Sequence, residues 1–222
     1  MIRLDNVTKS YMTLGGRKVV FRNLSLDLPE GRNIGLIGRN GAGKTTLMGL
    51  LSAVDQPDSG KIITRGRLSW PVGLRGGMQK NLTGRDNVKF VCRVYGVRGQ
   101  RMLEKIRYVE QFAEIGDYFD QPISTYSSGM QARVAFATSM AFDFDYYLID
   151  EVMAVGDATF KRKSRKVFKE RLRHSRVILV SHNMKLIGKM CDFVVHLDRG
   201  QATCFENVRK GIAAYQKAGG EP

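Results

Sequence analysis

No apolar run in this chain approaches the ~18 residues that a membrane-spanning helix requires. The longest candidates, residues 146–149 and 177–180, have the length of buried strands. The amino-terminal MIRLDNVTKS has no apolar stretch of the kind a secretory signal needs. Cysteine is scarce. Cys92, Cys191 and Cys204 are far apart, form no CxxC pair and stand near no histidine at metal-ligand spacing, which argues against a zinc centre and a disulfide framework. They read as scattered core or surface thiols in a reducing compartment. With 43% hydrophobic and 26% charged residues, the composition excludes disorder, collagen and coiled coil. Internal repeats, low-complexity tracts and long linkers are also missing. The chain reads as soluble and cytoplasmic, and 222 residues suffice for one compact domain with a sizeable core.

Acidic residues are in short supply. Lys+Arg number 36 against 21 Asp+Glu, a formal net charge of +15, which implies an acidic partner: nucleic acid, anionic lipid, phosphate or a polyanionic substrate. Composition does not choose among them.

The order of apolar segments points to an α/β fold. Residues 2–7 and 24–28 alternate as antiparallel edge strands, followed by a turn at Pro29-Glu30-Gly31. A short apolar run at 33–37 leads into a glycine-rich loop and a helix over 44–51, and 60–64 reads as another strand. Residues 86–115 are helical in pattern, with Val88, Val91, Cys92 and Tyr95 on one face. A second helix is expected from Ser127 to about Phe142. Strands at 145–149, 177–181 and 193–197 then alternate with helices, as in a parallel sheet covered on both faces. The tail from Ala218 reads as frayed.

Gly38-Arg39-Asn40-Gly41-Ala42-Gly43-Lys44-Thr45, followed by Thr46, fits G-x-x-x-x-G-K-[ST] between an apolar strand and a helix, the context this motif requires. Its glycines let the backbone wrap closely, so successive N–H groups point at phosphate oxygens. The helix N-terminus adds partial positive charge. Lys44, read as exposed to phosphate rather than packed, reaches the β- and γ-phosphates, and the Thr45 hydroxyl is placed for Mg²⁺. A glycine-rich turn with a chance lysine is the plainer reading, but strand, loop and helix together oppose it. The chain is read as an NTP-binding protein.

A phosphate loop needs a second, metal-directed carboxylate at the end of another buried strand. Asp150 and Glu151 follow the apolar residues 146–149. Asp150 is assigned to Mg²⁺ and Glu151 to polarising the attacking water as general base. Two acids that merely cap the next segment would look the same in isolation; next to a phosphate loop that reading is weak.

Taken in order, the phosphate loop, a Ser-Ser-Gly ahead of a helix, a hydrophobic-Asp-Glu strand and Ser181-His182 after a further strand resemble the nucleotide-binding subunit of ABC transporters. The resemblance covers essentially the whole chain. It implies one ATP-binding domain spanning 1–222, with the P-loop NTPase fold of ABC ATPases. That fold has a mostly parallel core sheet, an antiparallel edge subdomain, and a helical subdomain over about 85–140 carrying the signature motif. Tyr126-Ser127-Ser128-Gly129-Met130 looks like that signature, with Tyr126, Ser128 and Met130 where Leu, Gly and Gln are usual. The Ser127 hydroxyl and Gly129 N–H would then contact the γ-phosphate of ATP held by the other subunit, whereas alone they would be a plain helix cap. Residues 154–157, ending in Asp157, look like the D-loop, and His182 like the switch histidine that contacts the γ-phosphate. Tyr11 falls where the family stacks an aromatic on adenine. Where many relatives have the Q-loop glutamine, alignment backwards from Asn87 places Leu74; Gln79 is the nearest glutamine and could take over its role at Mg²⁺.

Residues 69–74, 76–88 and 126–130 resemble, more narrowly, the ATPases that export capsular polysaccharide in Gram-negative bacteria. O-antigen relatives often carry an extra carboxyl-terminal carbohydrate-binding domain, for which this chain has no room, so the capsule branch is favoured. The resemblance implies a homodimer with two ATPs at its interface, coupled to a separate integral membrane permease at the cytoplasmic face of the bacterial inner membrane. Export of O-antigen or a teichoic-acid-type glycan is the alternative, and a soluble ABC ATPase acting on DNA or ribosomes is the rival class. Residues 161–176 hold nine Lys or Arg against Glu170, and 75–107 hold nine against Asp86 and Glu104. These are solvated helix faces on the plain reading and faces near the anionic inner leaflet on the sharper one. No nucleic-acid module accompanies them, and no nucleic acid is expected as partner.

Overall fold

The chain opens with two long antiparallel strands, β1 (Ile2–Thr13) and β2 (Gly16–Leu28), closed by the Thr13–Gly16 turn, where Gly16 has a φ of 101°. The hairpin is far longer than the two short strands expected. Its alternation is interrupted where the register shifts between Leu4 and Val7 and around Lys9, and Asn6 and Asn23 take positive φ there. Those irregularities are bulges, which bend a strand and hide its period of two from the sequence. β4 (Ser59–Thr64) pairs with the other side of β1, giving a three-stranded antiparallel sheet.

The computed structural model describes residues 1–72, 78–150 and 157–219. These divide into two compact units, one drawn from 1–71, 144–151 and 175–222, the other from 72–143 and 152–174.

The first unit holds both sheets. In the second sheet, β5 (Tyr146–Asp150), β6 (Arg176–Val180), β3 (Ile34–Ile37) and β7 (Phe193–Asp198) run parallel in that spatial order, and β8 (Gln201–Phe205) adds antiparallel to β7. β3 is buried at every position, as parallel strands covered on both faces must be. Ile34, Leu36, Leu148, Ile178, Val180, Val195 and Leu197 join Ile2, Leu4, Val7 and Phe21 of the hairpin in one apolar core with Leu47 and Met48 of α1 (Lys44–Leu51). Ser69, fully buried, extends the sheet beside β5: its N–H donates to Tyr146 O at 2.9 Å and its Oγ accepts from Leu148 N–H at 2.9 Å. α6 (Met184–Met190) and α7 (Val208–Lys217) complete the unit.

The second unit is helical: α2 (Gly84–Val94), α3 (Gly99–Ala113), α4 (Ser128–Met140) and α5 (Ala158–Arg171), with two short 3₁₀ turns between α3 and α4. The single helical stretch expected over 86–115 is two helices, parted where Gly96 and Gly99 take φ of 69° and 57°. Val88 and Cys92 are buried as expected, but Tyr95, at the end of α2, is 40% exposed. α2 starts earlier than expected because Thr83 caps it, Oγ1 accepting from Asp86 N–H at 3.0 Å. Phe112, Phe136 and Phe160 from α3, α4 and α5 meet with ring centroids 5.6–6.3 Å apart. Around them, Arg133 lies over Phe160 and Lys163 over Phe112, so cations cover the rim of the aromatic core.

Candidate functional site

Register brings the chemistry of the first unit together. Asp150 is paired with Val180 across β5 and β6, and Val180 with Leu36 across β6 and β3. Three adjacent parallel strands therefore end at one edge, where ligand sites of α/β sheets gather. Asp150 ends β5, Ser181-His182 follow β6, and the glycine loop follows β3.

The glycines of that loop are used in different ways. At Gly38 a Cβ would lie 2.4 Å from Leu197 O, so the strand-to-loop step passes too close to β7 for any side chain. Gly43 starts α1 with a φ of 102°, and a Cβ there would meet Phe21 at 2.6 Å and Val20 at 2.8 Å. Between them Ala42 N–H donates to Arg39 O at 3.1 Å, closing the turn. α1 has neither a side-chain cap nor an acid in its first turn. No capping side chain therefore stands between this helix start and the cleft.

Lys44 is not the exposed side chain expected from sequence. It is buried, its ammonium donating to Gly38 O at 2.6 Å and Arg39 O at 3.1 Å. The lysine thus splints the loop from inside, because the loop's curvature turns these carbonyls toward the helix start. A triphosphate offers the same ammonium stronger, charged acceptors.

A cleft of about 400 Å³ lies over this edge, lined by Tyr11, Thr13, Lys18, Val20, Asn40, Gly41, Gly43, Lys44, Thr45, Thr46, Asp150, Val180 and His182. Nine of these are residues singled out from sequence; Gly38, Arg39 and Ala42 shape the loop behind them. Val180 belongs to the strand expected over 177–181, whereas Thr13, Lys18 and Val20 were missed. Those three belong to the turn end of the hairpin, where Tyr11 pairs with Lys18 in regular register and both faces are exposed, so no apolar alternation marks the strands. The Thr13-Leu14-Gly15-Gly16 turn was the signal that could have found them. Tyr11 is half-exposed, and its hydroxyl donates to Asp55 Oδ2 at 2.5 Å. A hydroxyl at Thr45 and a carboxylate at Asp150 on one cleft are hard oxygen donors, which fits Mg²⁺ beside a triphosphate.

The remaining candidates belong to the second unit or lie outside the described residues. Ser127 caps α4, its Oγ accepting from Met130 N–H at 3.2 Å, with Ser128 and Gly129 in the first turn. Asp157 caps α5, accepting from Phe160 N–H at 2.9 Å, and pairs with Arg133 at 2.5 Å. These bonds to the Phe160 N–H and to Arg133 hold its carboxyl below the ordinary range. Gln79 is exposed and pinned through its backbone: its N–H donates to Asn87 Oδ1 at 2.8 Å and its carbonyl accepts from Asn87 Nδ2 at 3.1 Å. Glu151 and Leu74 lie outside the described residues. Cys92 and Cys191 are buried free thiols and Cys204 is an exposed one. Among the described residues no helix is long and apolar enough to cross a membrane, and no His, Cys, Asp or Glu cluster forms a metal site.

Residues 21–154 match the ABC transporter family profile. The chain is 52% identical to the polysialic acid transport ATP-binding protein KpsT of Escherichia coli, over 98% of this chain and 99% of that one. It is 41% identical to the capsule polysaccharide export ATP-binding protein CtrD of Neisseria meningitidis serogroup B, over 97% and 98%. O-antigen and teichoic acid export ATP-binding proteins are similar at 34% and 36% identity. Among solved structures, the dimeric ATP-binding cassette MJ0796, in a post-hydrolysis state bound to ADP and Pi, superposes with a TM-score of 0.70 at 21% identity. That match covers 92% of this chain and 98% of that one.

Proposed function

The chain belongs to the ABC transporter ATPase family, and from that premise we propose that it is the ATP-hydrolysing subunit of a capsular polysaccharide exporter. The observation that carries this reading is the cleft in which an uncapped helix start, Lys44, Thr45, Asp150 and His182 meet, in a chain alike over its full length to KpsT and CtrD. Lower identity to the O-antigen and teichoic acid proteins ranks those glycans behind capsule. A nucleic-acid ATPase has no supporting feature in the fold described.

Within this proposal the chain's own groups divide the work. Loop amides from 41–45 and the positive end of α1 bind the phosphates, and Lys44 holds the charge that develops on them. Thr45 and Asp150 would hold Mg²⁺, which when bound neutralises charge between the β- and γ-phosphates. Glu151, directly after Asp150 in the chain, takes a proton from water, and His182 donates a hydrogen bond to the γ-phosphate. Tyr11 stacks on the base. Ser127 and Gly129 complete the site of a second subunit, with Asp157 nearby, so the working form is a homodimer held by two ATPs. Gln79 serves the metal in place of the missing Q-loop glutamine. A peripheral chain of this kind acts through an integral membrane permease at the cytoplasmic face of the inner membrane, with the polysaccharide handled by the complex.

Export and turnover test the proposal together. In an encapsulated bacterium lacking this gene, the wild-type chain should restore surface polysaccharide and Glu151→Gln should not, the polymer remaining inside the cell. In vitro the same variant should bind ATP and hydrolyse it about 10²–10⁴-fold more slowly, because an amide keeps the size of the carboxylate without its basicity. Restored capsule with Glu151→Gln, or turnover within a few-fold of wild type, removes Glu151 from the reaction.

A further inference from the structure

Tyr11 does not stand alone on the cleft wall. Its hydroxyl donates to Asp55 Oδ2 at 2.5 Å. The other oxygen of Asp55, Oδ1, accepts from Lys9 Nζ at 2.5 Å, and Lys9 also donates to Gln56 O at 2.7 Å. Lys9 is buried, at 8% exposure, and its ammonium lies over the Tyr11 ring, 4.9 Å from the centroid. One lysine therefore grips the ring in two ways, through the carboxylate that holds the hydroxyl and through the π-face. Asp55 sits just beyond α1, in the turn that leads to β4, so the clamp ties the hairpin to the far end of the phosphate-loop helix.

We propose that Asp55 and Lys9 are positioning residues for the nucleotide base, fixing the Tyr11 ring so that its face away from Lys9 receives an aromatic base while α1 receives the phosphates. This rests on the reading of Tyr11 as the base platform. An unheld tyrosine on an exposed hairpin edge would sample several rotamers, and each binding event would have to order it again. Holding the hydroxyl removes that cost, and the cation on one face orders the ring further. The protonation states agree with the geometry. Burial raises the Tyr11 phenol, with the bond to Asp55 acting in the same direction, so it remains a donor at neutral pH. Burial opposes ionisation of Asp55, but hydrogen bonds from Lys9 and Tyr11 overcome it and keep the carboxyl below its ordinary value.

The plainer role of the same bonds is to pack β1 against the turn after α1. Comparing ATP with inorganic tripolyphosphate separates the two roles, since only ATP carries a base. Equilibrium binding of each to the full-length chain is measured without divalent metal, so that nothing is turned over. Tyr11→Ala should weaken ATP about tenfold and leave tripolyphosphate unchanged. Asp55→Asn should weaken ATP about fivefold, again with tripolyphosphate unchanged, and should cost less in a Tyr11→Phe background, where the held hydroxyl is already gone and only the seat of Lys9 over the ring is left to lose. Equal loss of both ligands with Asp55→Asn overturns the proposal in favour of packing. Loss of ATP affinity with Tyr11→Ala but not with Asp55→Asn overturns it while leaving the platform reading intact. Unchanged ATP affinity with Tyr11→Ala brings down the platform and the clamp together. Should Asp55→Asn fail to fold, Tyr11→Phe alone, which removes only the hydroxyl, carries the same comparison.

Discussion

Helix α1 starts at Gly43 with a φ of 102° and no side-chain cap, whereas α4 starts at Ser127, whose hydroxyl accepts from the Met130 N–H at 3.2 Å. α2, α5, α6 and α7 resemble α4, capped by Thr83, Asp157, Asn183 and Asn207. An uncapped start costs about 1 kcal/mol relative to a capped one unless something else satisfies the amides. α3, behind Arg98, is uncapped too, but only the start of α1 opens on the cleft that Asp150 and His182 also line. In α4 the cap is already made, yet a hydroxyl that accepts through a lone pair keeps its own proton to donate. Ser127 can therefore hold its helix and contact a phosphate at once. In the proposed function the first helix start serves a nucleotide of its own chain, and the second, finished in itself, would serve one brought by another.

The largest effect should follow from emptying the open start of its cation. Lys44→Met keeps the apolar stem and removes the ammonium that bridges Gly38 O and Arg39 O. Tight ATP binding should be lost and turnover should fall by at least about 10²-fold. Because the lysine is buried, thermal stability should drop as well, by about 1–2 kcal/mol for two loop carbonyls left without their charged donor. Wild-type affinity for ATP in this variant would remove the phosphate-loop assignment.

Next in size is a block at the closed start. Ser127→Arg puts a long cation where the opposing γ-phosphate should approach, and a two-fold dimer meets the clash twice. ATP binding to the single chain should stay near wild type, while the ATP-dependent dimer weakens by about 10²-fold or more. Sizing with ATP under non-hydrolysing conditions reads both states; an undiminished dimer would show that Ser127 is a cap and nothing more.

Two glycines, one from each helix start, sharpen the contrast at smaller energies. Gly43→Ala forces a Cβ into Phe21 and Val20 at a positive φ and should cost about 2–3 kcal/mol. Gly129→Ala, in the first turn of α4, meets only Ser127 Oγ at 3.8 Å and should stabilise by up to about 1 kcal/mol. Denaturant melts of the two variants should move in opposite directions. A loss at Gly129 as large as that at Gly43 would mean that the two starts are under the same backbone constraint.

What the sequence made legible follows the same division. The loop from Gly38 to Thr46 and the acid at Asp150 could be read because strand, turn and helix each leave a short local signature, and the register of β5, β6 and β3 then delivers them to one edge. Ser127 could be read as a cap for the same reason. The turn end of the hairpin could not: bulges break the alternation up to Lys9, residues 11–19 are exposed on both faces, and Asp55 is more than forty residues away in sequence, so Lys18, Val20 and the Lys9–Asp55–Tyr11 clamp stayed hidden. Nor could the state of Lys44, because a lysine in this motif looks alike whether it points outward or, as here, donates to its own loop. The break between α2 and α3 was written in Gly96 and Gly99, but an apolar face that continues past them masked it.

The smallest expected effect separates charge from geometry in a closed start. Asp157 caps α5 and pairs with Arg133, and its carboxyl is held below its ordinary value chiefly by the hydrogen bond from the Phe160 N–H, against a small opposing effect of burial, with Arg133 adding to the lowering. A carboxyl whose value is lower in the folded chain than in the unfolded one stabilises the fold when ionised. Its contribution is complete above the ordinary value of 3.8 and is lost as pH falls through the lower, folded one. Asp157→Asn keeps a capping oxygen in the same place and removes only the charge. At neutral pH the variant should melt slightly below the wild type, and that gap should narrow as pH falls past 3.8 toward the lower, folded value. The side chain is exposed, so the gap is expected to be near the limit of what a melt resolves and to shrink further with added salt. A gap that stays constant down to pH 3 would show that α5 is held by the shape of its cap alone, with no part played by the charge Asp157 shares with Arg133.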